Sequence, residues 1–211
     1  MNNIIDYLDA LFPNPHCELK FNKDYELLIS VMLSAQTTDK QVNKVTDFLY
    51  KKYDSLEKLA NANINDVITI IRTLGNFNKK ASNIIEISKR LINDTNGVVI
   101  NNREYLESLP GVGRKTVNVV LANLYNEDVI AVDTHVARVS KRLGIAAHND
   151  DVLTIEKKLN RKFPKNKLGR LHHQFVLFGR YNCKAISPSC GECKLKDICK
   201  YYKKNNKEVS K

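Results

Sequence analysis

Four of the five cysteines fall in one short stretch: Cys183, Cys190, Cys193 and Cys199, spaced C-x6-C-x2-C-x5-C. Four thiolates so close in sequence can surround one small object if the loop wraps around it, which is the chemistry of a zinc or iron–sulfur site. Zinc sites are usually built from two C-x2-4-C knuckles. Only Cys190–Cys193 forms one here, and the wide first spacing mildly favours an iron–sulfur cubane. The competing reading, four unrelated buried thiols, does not explain the clustering. Cys17 stands apart and reads as a small core residue.

A second group of residues can do covalent chemistry. In Leu109-Pro110-Gly111-Val112-Gly113-Arg114-Lys115-Thr116 a short helix runs into a proline and two glycines, and a second helix begins near Gly113. Glycines allow a tight turn and let backbone amides approach a ligand. At a helix N-terminus those amides form an anion site. A phosphate loop of the Walker type is excluded, because it needs four residues between its glycines and this segment has one. An ordinary interhelical turn accounts for the glycines equally well. Lys115 shifts the balance: the positive end of the helix dipole and neighbouring Arg114 both disfavour its ammonium, which favours a nucleophilic amine. The segment alone does not choose between that nucleophile and a charged lysine that clamps a phosphate.

A carboxylate follows in Val132-Asp133-Thr134-His135-Val136. Capping a helix is the default role of Asp133. A capping carboxylate can also accept a proton or steady a developing cation. Lys115 and Asp133 belong to different elements and can meet across a groove, as amine attack on a sugar carbon requires. His135 and Arg138, one helical turn apart, can line the same groove. A surface histidine with satisfied partners is the alternative for His135.

The elements that position these residues read as helical almost throughout. Tyr25, Leu28, Met32 and Ala35 recur at helical spacing, with Asp24 as the expected N-cap. Val42, Val45, Phe48 and Leu49 form a second stripe. Further helices are expected over Ser55–Ala62, Asn65–Leu74, Lys79–Asn93, Arg103–Ser108, Thr134–Leu143, Asp151–Phe163 and Lys167–Phe178. Gly75 and Gly97 stand where helix C-caps belong. Val117–Leu124 is apolar on nearly every face, hence a buried helix. Val98–Ile100 is the one strand-like piece, expected in a connector. The lysine-rich tail from Tyr201 to Lys211 is expected to be frayed and solvated. LGNFNKKA and LPGVGRKT share a helix–turn–helix outline, but two copies make no solenoid.

The chain has 211 residues, 43% hydrophobic and 27% charged, an ordinary globular composition. Lys and Arg number 34 against 23 Asp and Glu, a formal net charge of +11. Such a surplus favours polyanionic partners through counterion release, although a protein can be basic without one. No apolar run is long enough for a membrane span. The segment MNNIIDYLDALF carries Asp6 and Asp9 and no basic region ahead of an apolar one, so no secretory signal is expected. A cytosolic setting is the default, and there the cysteines are poor candidates for disulfides.

Taken together, these motifs resemble the endonuclease III family. LPGVGRKT resembles its helix-hairpin-helix motif, and VDTHVARV its catalytic-aspartate motif. The four cysteines have its iron–sulfur spacing. SVMLSAQTTD, residues 30–39, resembles its lesion-flanking helix end, and FGRYNC, residues 178–183, the entry to its cluster loop. The likeness runs in register over nearly the whole chain. It implies an all-α helix-hairpin-helix DNA glycosylase fold: a six-helix barrel domain over residues 17–127, and an iron–sulfur cluster domain from residues 1–16 and 128–211. It implies a bifunctional DNA glycosylase/AP lyase of base excision repair, acting as a monomer on double-stranded DNA that contains oxidised pyrimidines or abasic sites. The location implied is cytoplasmic, with the nucleoid of a prokaryotic-type cell. Lys115 would attack the sugar, Asp133 would handle protons, and the four cysteines would hold a [4Fe-4S] cluster. DNA contacts are expected from Gln36, Asp39, Gly111, Val112, Gly113, Arg114, Thr116, His135 and Lys184, with Gln36 helping to fill the gap left by the flipped nucleotide. One departure is Asn76, beside Phe77, where the family commonly places a leucine wedge.

Two rivals are distinguishable. The related mismatch adenine glycosylase carries a glutamate on the helix aligned with residues 25–36 and lacks the lysine; this chain has Ser30 and Lys115. A non-catalytic iron–sulfur DNA-binding protein needs no Lys115/Asp133 pair.

Overall fold

The computed structural model describes residues 2–207. Among them every regular element is helical. Helix α1 is Asn2–Leu11. Then follow α2 (Asp24–Leu33), α3 (Asp39–Lys52), α4 (Leu56–Ala60), α5 (Ile64–Ile71), α6 (Phe77–Thr95), α7 (Arg103–Ser108) and α8 (Arg114–Leu124). The C-terminal part contributes α9 (Thr134–Leu143), α10 (Val152–Lys162), a 3-10 turn at Lys165–Lys167, α11 (Leu168–Tyr181) and α12 (Lys200–Lys207).

Polar side chains start many of these helices where the sequence places them. Thr38, Ser55, Asn63, Asn102, Asp133 and Asp151 each accept a first-turn amide. A cap of this kind contributes roughly 1 kcal/mol.

The chain divides into two compact units. One is Cys17–Tyr125. Its core is built on α2, which is buried from Tyr25 to Leu33 and packs against α3, α6 and α8. The stripe Ala81, Ile84, Ile87 and Leu91 of α6 and Val117, Val120 and Leu121 of α8 complete it. The other unit joins α1 to α9–α12. Leu8, Val136, Val139, Ile155, Leu159, Leu171, Phe175 and Phe178 form its core.

Several local expectations change. Asp24 is the first residue of α2 and not its cap; Lys23 is the boundary residue. The Asp24 carboxylate accepts from the Tyr25 amide at 2.8 Å and from the Val99 amide at 2.8 Å. The Glu26 carboxylate meanwhile accepts from the amides of Asn22 and Lys23. Val98–Ile100, by contrast, lies in a connector as expected, and its backbone is engaged there: the Val99 amide is bonded to Asp24 and its carbonyl accepts from the Tyr125 hydroxyl. Helix α5 stops before Gly75, and the left-handed residue is Asn76, at φ 57°. Helix α6 closes on two left-handed residues, Asn96 and Gly97.

The tail differs most from expectation. Lys200–Lys207 is helical, while residues 208–211 lie outside the described range. Gly144 ends α9 at φ 75°, and a side chain there would strike the Lys200 methylenes at 2.5 Å. Tyr201 stacks on the Arg142 guanidinium, 4.3 Å from its ring centroid. These two contacts hold the polar helix in place. No described helix is long and apolar enough to cross a membrane.

Candidate functional site

In the unit Cys17–Tyr125 the glycine hairpin joins α7 to α8. The two glycines have different reasons. Gly111 sits at φ 76°, and a Cβ there would fall 2.3 Å from Asn83 Nδ2. Backbone conformation and packing therefore both exclude a side chain. Gly113 is extended, at φ −110°, ψ 177°, and a Cβ there would meet open space. Val112 between them turns inward, with its amide donating to the Leu109 carbonyl at 3.1 Å.

Helix α8 starts at Arg114 with no side chain capping it. Its first-turn amides and the positive dipole end are open to an external anion. Lys115 is the second residue of this helix and is exposed. No ion pair engages it among the described residues. Arg114 is exposed and Thr116 is buried.

The turn after α2 belongs to the same unit. Gln36 is exposed and left-handed, at φ 57°. Positive φ is strained for a residue with a side chain, and such strain clusters at functional positions. Asp39 opens α3 directly after the Thr38 cap. The exposed Asn76 is the other left-handed residue near this turn in the packing: Gln41 Nε2 donates to Thr73 Oγ1 at 2.7 Å, tying the start of α3 to the segment before Asn76.

In the second unit, Asp133 caps α9. Its Oδ1 accepts from the Val136 amide at 2.8 Å. The carboxylate is half-buried, and Oδ2 has no hydrogen-bond partner among the described residues. Two anchors fix the segment that leads to it. Ile130, Ala131 and Val132 are buried, and the buried His172 ring nitrogen Nδ1 meets the Ala131 carbonyl at 3.0 Å. His135 is the second residue of α9, and its Nδ1 is 3.1 Å from Arg138 Nη2.

Arg138 and Arg142, four residues apart on α9, hold the entry to the cysteine loop. Arg138 donates to the Gly179 carbonyl at 2.7 Å and to the Cys183 carbonyl at 3.1 Å. Arg142 donates to the Lys184 and Ala185 carbonyls and lies 3.3 Å from Cys183 Sγ. Gly179 is required here, because a Cβ would come within 2.8 Å of His135 Cβ. Lys184 itself is exposed.

The loop brings the four cysteines together. All four line one cavity of about 140 Å³, walled by Tyr7, Leu143 and Phe178. No three His, Cys, Asp or Glu side chains among the described residues converge as a single metal ion requires. A tetrahedral zinc at about 2.3 Å from each sulfur would draw its ligands into mutual contact. Thiols on the wall of a cavity suit a larger inorganic core. Burial pushes the Cys190 and Cys193 thiols up, and the neighbouring sulfurs add to it. A cationic centre reverses that sign, since a coordinating thiol is deprotonated.

Comparison with known proteins decides among the alternatives. Residues 29–165 match the HhH-GPD superfamily of base excision DNA repair proteins, and residues 183–199 match the iron-sulfur binding domain of endonuclease III. Endonuclease III of Bacillus subtilis is 45% identical over 204 residues, covering 97% of this chain and 93% of its own. The chain belongs to the endonuclease III family. A solved non-covalent endonuclease III–DNA complex superposes with a TM-score of 0.92 at 44% identity, covering 97% of this chain and 95% of that one. A trapped endonuclease III–DNA covalent intermediate superposes at 0.91, with 44% identity and coverage of 96% and 95%.

Membership settles the activity. The protein is a bifunctional base excision repair enzyme, both DNA glycosylase and AP lyase, it binds DNA, and its cofactor is a [4Fe-4S] cluster. Its fold is the all-α helix-hairpin-helix glycosylase fold.

Sequence reasoning did not single out Arg142 or Lys80. The signal for Arg142 was its four-residue spacing from Arg138 on the helix that Asp133 caps. The signal for Lys80 was its place on the apolar stripe of α6, in line with Ile84, Ile87 and Leu91.

Proposed function

We propose that this enzyme removes oxidised pyrimidines from double-stranded DNA with Lys115 as nucleophile and Asp133 as the proton-handling carboxylate. The observation that carries the reading is Lys115 itself: an exposed amine in the first turn of a helix whose N-terminus no side chain caps. A DNA phosphate is welcome at that open terminus.

The damaged nucleotide leaves the stack, because its C1′ is not accessible within the duplex. The Lys115 amine forms a bond to C1′ as the C1′–N bond to the base breaks, and the electron pair leaves with the base. The base takes up a proton, and the lysine nitrogen gives one up. Asp133 Oδ2 carries protons in this exchange, while Oδ1 keeps the cap. Opening of the sugar ring gives a Schiff base. Loss of the C2′ proton then expels the 3′ phosphate by β-elimination, which nicks the strand. Water hydrolyses the Schiff base and frees Lys115.

The uncapped first turn of α8, with Gly111, Val112, Gly113, Arg114 and Thr116, holds a backbone phosphate. Gln36 fills the space left by the flipped nucleotide, with Asp39 and His135 beside the DNA. Cys183, Cys190, Cys193 and Cys199 hold the cluster, which braces the loop so that Lys184 meets a second phosphate. The two units correspond in this reading to a barrel domain and a cluster domain. The enzyme acts as a monomer on nucleoid DNA in the cytoplasm.

A panel of duplexes carrying single lesions tests the substrate class, with base release and nicking scored separately. Release of ring-oxidised pyrimidines well above oxidised purines and mismatched adenine is expected. Preference for either of the latter would overturn the assignment.

A further inference from the structure

Lys80 is 6% exposed and lies on the core-facing stripe of α6. A lysine is almost never buried unless its ammonium is paired or hydrogen-bonded. Among the described residues no carboxylate pairs with it. Its donors go instead to one short turn. Nζ donates to the Leu33 carbonyl at 2.9 Å, to the Ala35 carbonyl at 2.9 Å and to Thr37 Oγ1 at 3.4 Å. Burial alone pushes its pKa down.

We propose that Lys80 is a positioning residue, a clamp that holds the Leu33–Thr37 turn in the conformation that presents Gln36 to DNA. This rests on the reading of Gln36 given above. The turn needs such a clamp for two reasons. Helix α2 ends at Leu33, so its last carbonyls have no helical donors and concentrate negative potential. Gln36 is left-handed, a conformation that persists only when surrounding contacts over-determine it. An ammonium with three donors satisfies the carbonyls on either side of Ser34 and a hydroxyl beyond Gln36. A methionine would fill the same volume at lower cost in desolvation, but it would leave those oxygens unbonded.

The clamp also joins two exposed turns. The Lys80 amide donates to the Asn76 carbonyl at 3.0 Å, in the first turn of the helix that Asn76 begins. Lys80 therefore stands one helical turn from Asn76 through its backbone and holds the turn of Gln36 through its ammonium, and the Gln41–Thr73 hydrogen bond adds a second tie between the same segments.

A double-mutant cycle tests the clamp in the full, cluster-loaded enzyme. The readout is the ratio of affinities for a duplex with a tetrahydrofuran abasic analogue and for the undamaged duplex. Lys80→Met is expected to lower this ratio about as far as Gln36→Ala does, within the roughly 10²-fold range that misplacement of a functional group can cost. In the Gln36→Ala background it should add less than about twofold, because both changes remove one function. Equal losses in the two backgrounds would overturn the proposal. Amide exchange over residues 34–37 separates two failures. Faster exchange in Lys80→Met with no effect of Gln36→Ala overturns the Gln36 reading alone. Unchanged exchange overturns the role of Lys80. If Lys80→Met fails to fold, Lys80→Gln keeps an amide donor for the carbonyls and is read by the same two measurements; a ratio closer to the parent enzyme supports the clamp, and one that tracks only thermal stability contradicts it.

Discussion

The N-termini of α8 and α9 are built in opposite ways. Helix α8 begins at a glycine, has no side-chain cap, and carries an exposed lysine in its first turn. Helix α9 begins at an aspartate whose carboxylate accepts from the Val136 amide at 2.8 Å. The same dipole is therefore left open in one helix and answered internally in the other. An open terminus can take an anion from outside, which in the reading proposed above is the DNA backbone. A closed terminus holds its carboxylate still, with one oxygen spent on the cap and the other, in the proposed reading, left for proton transfer. The difference shows that a helix start serves as a binding device or as an orienting device according to the side chain at one residue.

Changes at Asp133 break the comparison most severely. Asparagine caps a helix as well as aspartate does, whereas alanine costs about 1 kcal/mol. Asp133→Asn should keep the thermal stability of the parent and lose base release by roughly 10²–10⁴-fold, the range of general acid–base catalysis. Asp133→Ala should lose the same activity and also melt earlier. Single-turnover base release and thermal melts check both. Retained activity in Asp133→Asn would reduce Asp133 to a cap.

Closing the open terminus gives a smaller effect. Gly113 is extended and faces open space, so Gly113→Ser fits without strain and supplies a cap. The variant should gain a few tenths of a kcal/mol in stability. It should bind undamaged and lesion duplexes roughly 3–10-fold more weakly, as expected from one displaced hydrogen bond. Fluorescence anisotropy measures the second quantity. Tighter or unchanged binding would mean that α8 does not hold a phosphate. Gly111 is a poor site for the same experiment, because Asn83 and a positive φ exclude any side chain there.

The smallest change concerns charge alone. Lys184 is exposed on the cysteine loop. Lys184→Ala should weaken binding evenly across sequences and reduce the slope of log affinity against log salt by about 1. An unchanged slope would remove Lys184 from the phosphate contacts.

Much of this comparison was legible in the sequence. Polar residues ahead of apolar stripes marked Ser55, Asp133 and Asp151 as helix starts, because an N-cap depends on a few consecutive residues. The cysteine spacing announced an inorganic centre for the same local reason. Features that depend on distant partners were hidden. Asp24 looked like a cap, but its carboxylate is partly committed to Val99, far along the chain. The tail looked frayed, yet α12 is held by Arg142 against Tyr201 and by the bare backbone of Gly144. Lys80 was not singled out among the many lysines, and only the packing of α6 against α2 shows where its ammonium goes.

The central claim is that the amine of Lys115 forms the covalent bond to DNA. Borohydride reduction of the enzyme with abasic-site DNA, followed by peptide mass spectrometry, tests it most directly. The expected result is a reduced adduct on the peptide containing Lys115, absent from Lys115→Ala while that variant still binds the same DNA. An adduct on another residue, or one that survives in Lys115→Ala, would contradict the claim.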